Sequence, residues 1–229
     1  MLTHLTDNLD LWREGLLNSF SLTLLGFTIG FFVAIPLGIA RLKRESWLSR
    51  FAFSYIYIVR GTPLLVQIFL IYYGVGQFHK ELKSLGLWWF FRDAYYCGLL
   101  AFILNSAAYQ AEILRGGIQA VPQGISEAGA ALGLSNFKRF RLLVLPIALA
   151  RMMPAFGNEF VLLLKASALV SVITVRDVMG QARYLFSETL DLSVFYIAAA
   201  NYLLVVLLIE ALWRRLEGRN QWLNPQENS

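Results

Sequence analysis

Two histidines and one cysteine among 229 residues leave this chain few means of metal or nucleophilic chemistry. Cys97 alone can close no internal disulfide and anchor no cysteine metal cluster, so a buried free thiol is its expected role. His4 and His79 lie far apart and form neither a His-x-x-x-His pair nor a Ser-His constellation, which argues against a membrane-embedded enzyme. No phosphate-binding loop of the form Gly, four residues, Gly-Lys-Ser/Thr occurs, so energy from nucleotide hydrolysis would have to come from another chain. Charged residues make up only 15% of the sequence, too few to surface a sizeable soluble domain. Internal repeats, low-complexity runs and linkers are absent too, and the one polar stretch is a short tail at 221–229.

What fills the chain is apolar. Residues of that class make up 57%, with 17 Phe and 10 Tyr, the composition of a multispanning membrane protein. Crossing a hydrocarbon core takes about 20 residues per helix. Runs of suitable character fall near 16–40, 62–78, 95–114, 147–164 and 194–213, which predicts an all-α integral membrane protein with five transmembrane helices in a single domain. An odd number of spans puts the two ends on opposite sides. Basic residues gather at Arg41, Lys43, Arg44 and Arg50, at Arg115, Lys138, Arg139, Arg141 and Arg151, and at Arg214, Arg215 and Arg219. They outnumber those of the other side, Arg13, Lys80, Lys83, Arg92, Lys165, Arg176 and Arg183, with Arg60 unassigned. The positive-inside rule then puts the N-terminus outside and the C-terminus in the cytoplasm. A net charge of +5 needs no nucleic acid to explain it. Asp7, Asp10 and Glu14 precede the first apolar run with no basic start and no clear cleavage site, so that run is expected to be a retained span and not a cleaved signal peptide.

The segment 47–59 mixes aromatic with polar residues and is expected to lie partly in the membrane interface before the chain turns inward at Arg60-Gly61-Thr62-Pro63. The rings of 85–96, Trp88 and Trp89 among them, suit the headgroup level, a stacking surface being the alternative. Gly26, Gly30 and Gly38 along the first span suit close helix approach or bending.

Polar groups at membrane depth are costly and so are functional candidates. Asn105, Tyr109 and Glu112, at spacings of four and three, share one helical face and would line a polar path, or else form an interhelical network in which Glu112 pairs with Arg115. Asn158-Glu159 is sharper, because Glu159 lies well inside an apolar run. Its charge calls for an amino-bearing substrate, for Arg151, for Lys165, for a residue of another subunit, or for protonation. Glu210 has a plain partner in Arg214 four residues on.

The loop 123–146 is the most informative stretch. Glu127-Ala128-Gly129-Ala130-Ala131-Leu132-Gly133 is followed nine residues later by Leu143-Val144-Leu145-Pro146, a short helix with a glycine stop between apolar spans. A glycine there suits a left-handed helix end. Its spacing resembles the EAA loop of bacterial ABC importer permeases, with Gly129 in the third place and Leu143 for the usual isoleucine. Three further strings are similar to the polar amino acid uptake branch of that family: Arg60 to Gln67, Asn105-Ser106-Ala107 with Ala111 to Ile118, and Gly157 to Phe160 with Leu164 to Ser171. The chain departs from the branch at Ala166, Ser167 and Ala168 and at Ile125 after Gly124.

The resemblance implies a type I ABC importer-like transmembrane domain in the bacterial inner membrane. It makes Glu127, Ala128, Gly133, Leu145 and Pro146 the coupling residues, and puts a gate near Lys165 and Ser167. It also implies partners: two cytoplasmic ATPase subunits, a second identical or homologous permease, and an extracytoplasmic amino-acid-binding protein. ATP and Mg would sit on the ATPases and no cofactor on this chain. The competing class is a proton-coupled secondary amino acid transporter with Glu112 or Glu159 as relay, which would have no use for an EAA-like loop.

Overall fold

The computed structural model describes residues 8–42 and 46–218. His4, Asp7, Lys43, Arg44, Arg219 and the tail 221–229 lie outside the described residues. Within them the chain is helical throughout: α1 (Leu9–Leu42), α2 (Trp47–Gly61), α3 (Leu64–Phe69), α4 (His79–Ser84), α5 (Trp88–Phe91), α6 (Ala94–Gln119), α7 (Gln123–Ala131), α8 (Asn136–Arg139), α9 (Leu145–Ala166), α10 (Val178–Thr189) and α11 (Ser193–Gly218). Among the described residues four helices are long and apolar enough to cross a membrane, and α2 with the run Leu64–Gly74 passes the same test as a pair bent by 103°, which brings the candidate spans to five if the pair counts as one.

Small residues let α1 and α6 run side by side. A Cβ on Gly26 would sit 2.8 Å from the Cβ of Phe102, and one on Gly30 would sit 3.2 Å from the backbone nitrogen of Ala107. The first contact is closer than a side chain tolerates and the second would force its neighbour to give by a few tenths of an ångström, so glycine is what lets this helix pair approach so closely. The pairs rise together in sequence, so α1 and α6 are parallel and end on the same side of the bundle as α7. α9 packs against both, and α11 packs against α9 and α10. One apolar core, with Leu22, Ile68, Phe102, Leu163 and Ile173, fills the centre. A second, with Trp12, Val178, Ala182, Leu185 and Val194, closes the end opposite α7.

The second span differs from a straight helix over 62–78. The aromatic segment from Trp47 is a 15-residue helix that meets Leu64–Gly74 at 103°, and only the two taken together are long and apolar enough for a crossing. Pro63, without an N–H and with φ −62°, caps the new helix and cannot continue the old one. Ser46 starts α2, its hydroxyl accepting from the Ser49 N–H at 3.2 Å.

Candidate functional site

The α7 segment is rigid for reasons visible residue by residue. Gly133 has φ +75°, the Gly133 N–H donates to the Ala130 carbonyl at 2.9 Å and the Leu134 N–H to the Gly129 carbonyl at 3.0 Å. Together these make a Schellman stop, which favours glycine at the left-handed position. Gly129 is buried because a Cβ there would meet Leu143 Cδ1 at 2.7 Å, so the helix lies flat on the segment that follows it. Arg139 clamps the two: its Nη1 donates to the Ser126 carbonyl at 3.2 Å and its Nη2 to Asn136 Oδ1. Of the basic side chains Lys138, Arg139 and Arg141, Arg139 is therefore turned inward, while Lys138 and Arg141 remain exposed. Glu127 and Ala128 are exposed, flanked by Leu132 (81% exposed) and Phe137 (69%), which leaves an apolar patch at the tip. Leu145 and Pro146 are half-buried and begin α9 directly after a π-helical turn, with no flexible linker between.

Some 14 residues further along α9 is Glu159, about 21 Å away at the helical rise. It is 6% exposed. The Ser106 hydroxyl approaches its Oε1 at a long 3.5 Å and itself accepts from Gln110 Nε2 at 2.7 Å; that nitrogen also reaches the Phe27 carbonyl at 2.9 Å. Glu159 forms no ion pair with Arg151 or Lys165. Arg151 instead donates to the Ala120 carbonyl.

Opposite Glu159 is the α2–α3 break. A break in a membrane helix frees carbonyls that must be satisfied from within the protein. Gln67 does this, its Nε2 donating to the Val59 carbonyl at 2.7 Å and the Thr62 carbonyl at 3.1 Å. Asn105 Nδ2 holds Gln67 in place by donating to its Oε1 at 3.2 Å. The last turn before the break carries Arg60, whose guanidinium carbon stands 4.9 Å from the Tyr109 ring centroid, within cation–π range. Arg60, Thr62, Asn105, Tyr109, Glu159 and Leu162 line a cavity of about 460 Å³.

The other candidates fall elsewhere. Glu112 lies between two arginines, 2.7 Å from Arg115 and 3.4 Å from Arg41, in a neighbouring cavity of about 330 Å³ that shares Arg60 and Tyr109 with the first. Asn158 is exposed on another side of α9, in a groove with Lys165, Glu210 and Trp213. Ser167 is buried, 3.3 Å from the Tyr202 hydroxyl, which in turn donates to Asp177 at 2.8 Å. Lys165 and Ser167 thus share no opening: the first faces a surface groove and the second a packed hydrogen-bond chain. Asp177 caps α10, accepting from the Gly180 N–H at 2.8 Å. Burial pushes its carboxyl above the usual aspartate range, against hydrogen bonds from Gly180, Tyr202 and Met179. Sequence reasoning missed Arg60, Gln67, Ser106 and Gln110 as site residues, although a basic side chain between two apolar runs was signal enough for Arg60.

Known proteins carry the same plan. The family model described as "Binding-protein-dependent transport system inner membrane component" matches residues 26–221. The nopaline transport system permease protein NocM of Agrobacterium fabrum is 44% identical over 206 residues, 90% of this chain and 84% of that one. The arginine ABC transporter permease protein ArtM of Haemophilus influenzae is 38% identical, covering 89% of each. Among solved structures, a crystal structure of an amino acid ABC transporter with histidines superposes with a TM-score of 0.83 at 36% identity, over 94% of this chain and 97% of that chain. An inward-facing MetNI methionine ABC transporter shares the fold, with a TM-score of 0.76 at 18% identity over 93% and 98%. With its apolar helical bundle, broken α2–α3 pair and capped α7 segment, the chain belongs to the family of binding-protein-dependent transport system inner membrane components.

Proposed function

We propose that this chain is the permease subunit of an ABC importer for a polar amino acid, and that the Arg60–Glu159 cavity is where the amino acid passes the membrane midplane. The observation that carries this reading is opposite charge across one cavity: a guanidinium at the helix break and a buried carboxylate on α9. An amino acid offers a carboxylate to the exposed Arg60 and a cation to the buried Glu159, and each gains an ion-pair partner that it lacks among the described residues. Relatives named for the transport of nopaline, octopine and arginine support this, arginine being a cationic amino acid. Asn105 and Tyr109 shape the wall, Asn105 through Gln67 and Tyr109 through Arg60.

The two walls belong to different levers. Glu159 rides on α9, which continues from the α7 segment, while Arg60 is fixed to the break by the helix it ends. In this reading two cytoplasmic ATPases carrying ATP and Mg close on each other and push α7, α9 shifts as a unit, and the cavity opens to alternate sides. Glu127, Ala128 and Gly133 form the docking helix, and Leu145 and Pro146 join it to α9. Basic residues at the α7 end support a cytoplasmic position for that end and an outside N-terminus. A second permease, identical or homologous, completes the path, and a binding protein delivers the substrate. Hydrolysis belongs to the ATPases, for this chain has no phosphate loop.

Competition for uptake by a panel of amino acids in vesicles holding the assembled transporter tests the reading. Glu159→Gln is expected to depress uptake of cationic amino acids while assembly and basal hydrolysis persist. Unaltered kinetics for every amino acid would remove Glu159 from the path.

A further inference from the structure

At the end of the bundle opposite α7, the first turns of α1 stand apart from α11, with α10 and the end of α9 closing the space behind them. The groove between is about 440 Å³, walled by Trp12, Leu16, Leu17, Phe20, Leu164 and Val205. Three polar residues reach it, and each has a partner inside the protein. The Ser19 hydroxyl accepts from the Val178 N–H at 3.2 Å, Asn201 Nδ2 donates to the Ile197 carbonyl at 2.9 Å, and the Tyr202 hydroxyl donates to Asp177 at 2.8 Å. A polar solute would find little to bind here. Arg13 also lines the groove, is exposed, and has no ion-pair partner among the described residues. A long apolar wall with a single cation fits an apolar chain with an anionic head.

We infer that this groove seats one acyl chain of an anionic phospholipid, its phosphate on Arg13. Along both helices the surface beyond the groove is apolar, with Leu24 and Leu25 on α1 and Leu203 and Leu204 on α11 exposed, which gives an acyl chain a sideways route into it. Lipid tails are as apolar as leucine, so the tail alone gains little by the exchange and selectivity rests on the head. One basic residue near the surface contributes about a fivefold preference, the factor equivalent to about 1 kcal/mol. The seated chain lies against Val178 and Tyr202, which tie α10 to the bundle.

Native mass spectrometry of the full chain in detergent micelles, after addition of phosphatidylglycerol or of diacylglycerol with the same acyl chains, tests this directly. Wild type should retain one phosphatidylglycerol per chain in preference to diacylglycerol. Arg13→Gln, at an exposed position, should lower that retention about fivefold, toward the diacylglycerol level. Leu17→Trp, which lays a ring across the groove from an exposed position, should lose both lipids while its thermal unfolding in lipid-free micelles matches wild type. Equal retention by wild type and both variants would mean lipid bound at no particular place and would overturn the inference. So would diacylglycerol held as tightly as phosphatidylglycerol.

Discussion

Replacing Gly133 by valine isolates the mechanical role of the α7 segment. Apart from its chain neighbours no residue comes within 4 Å of the position a Cβ would occupy, so the main cost of the substitution falls on the backbone. A φ of +75° costs a side-chain-bearing residue about 1–2 kcal/mol, and a β-branched one is a genuine outlier there. That cost falls on a helix of nine residues, too short to be stable except by packing and capping. A change of this size shifts the balance between capped and frayed segment by about 5- to 30-fold. Membrane insertion and the α1–α6–α9 core should be untouched, whereas co-purification with the ATPase and ATP-driven uptake should fall by a similar factor. Gly133→Asn, which tolerates the left-handed region better, should lie between the two. Uptake by the valine variant equal to wild type at equal expression would refute the claim that a fixed stop at Gly133 transmits force.

Gln67→Leu should strip the Val59 and Thr62 carbonyls of their donor and cost about 1–3 kcal/mol, read as a lower unfolding midpoint in micelles and as disturbed transport, with Asn105→Ala milder. Asp177 sets a pH dependence. Its folded-state pKa is raised, so the folded chain holds the proton more tightly and stability falls as pH rises from the unfolded aspartate range through the raised value. Asp177→Asn, which can still cap α10, should flatten that slope in thermal unfolding measured across pH, and an unchanged slope would assign the dependence to another group. The isolated chain in lipid should hydrolyse no ATP, and turnover surviving removal of every ATPase contaminant would contradict the division of labour proposed above.

Much of this was legible in the chain because its constraints are local. Apolar runs fix the crossings, and the left-handed glycine of the α7 segment is set by residues within six positions of Gly133. The Glu210–Arg214 pair, four residues apart and 3.2 Å in space, is of the same kind. What escaped is what folding brings together from afar. Glu159 meets Ser106 across 53 residues, and Gln67 meets Asn105 across 38, so neither partner is visible in its own segment. Periodicity put Asn105, Tyr109 and Glu112 on one face, yet the structure spreads them from the Arg60–Glu159 cavity to an ion cluster with Arg41, 71 residues away. The break itself was hard to read from sequence: Arg60-Gly61-Thr62-Pro63 looks like a helix start, and in the structure it also ends a helix that begins at Trp47.

The central claim is that α7 couples this permease to a nucleotide-driven partner. Liposomes holding the chain with its ATPase, supplied with binding protein and a labelled cationic amino acid, separate that claim from proton coupling in one measurement of uptake. ATP should drive accumulation, Gly133→Val should suppress it, and an imposed proton gradient without ATP should drive none. Gradient-driven uptake by the chain alone, indifferent to ATP and to Gly133, would contradict the account.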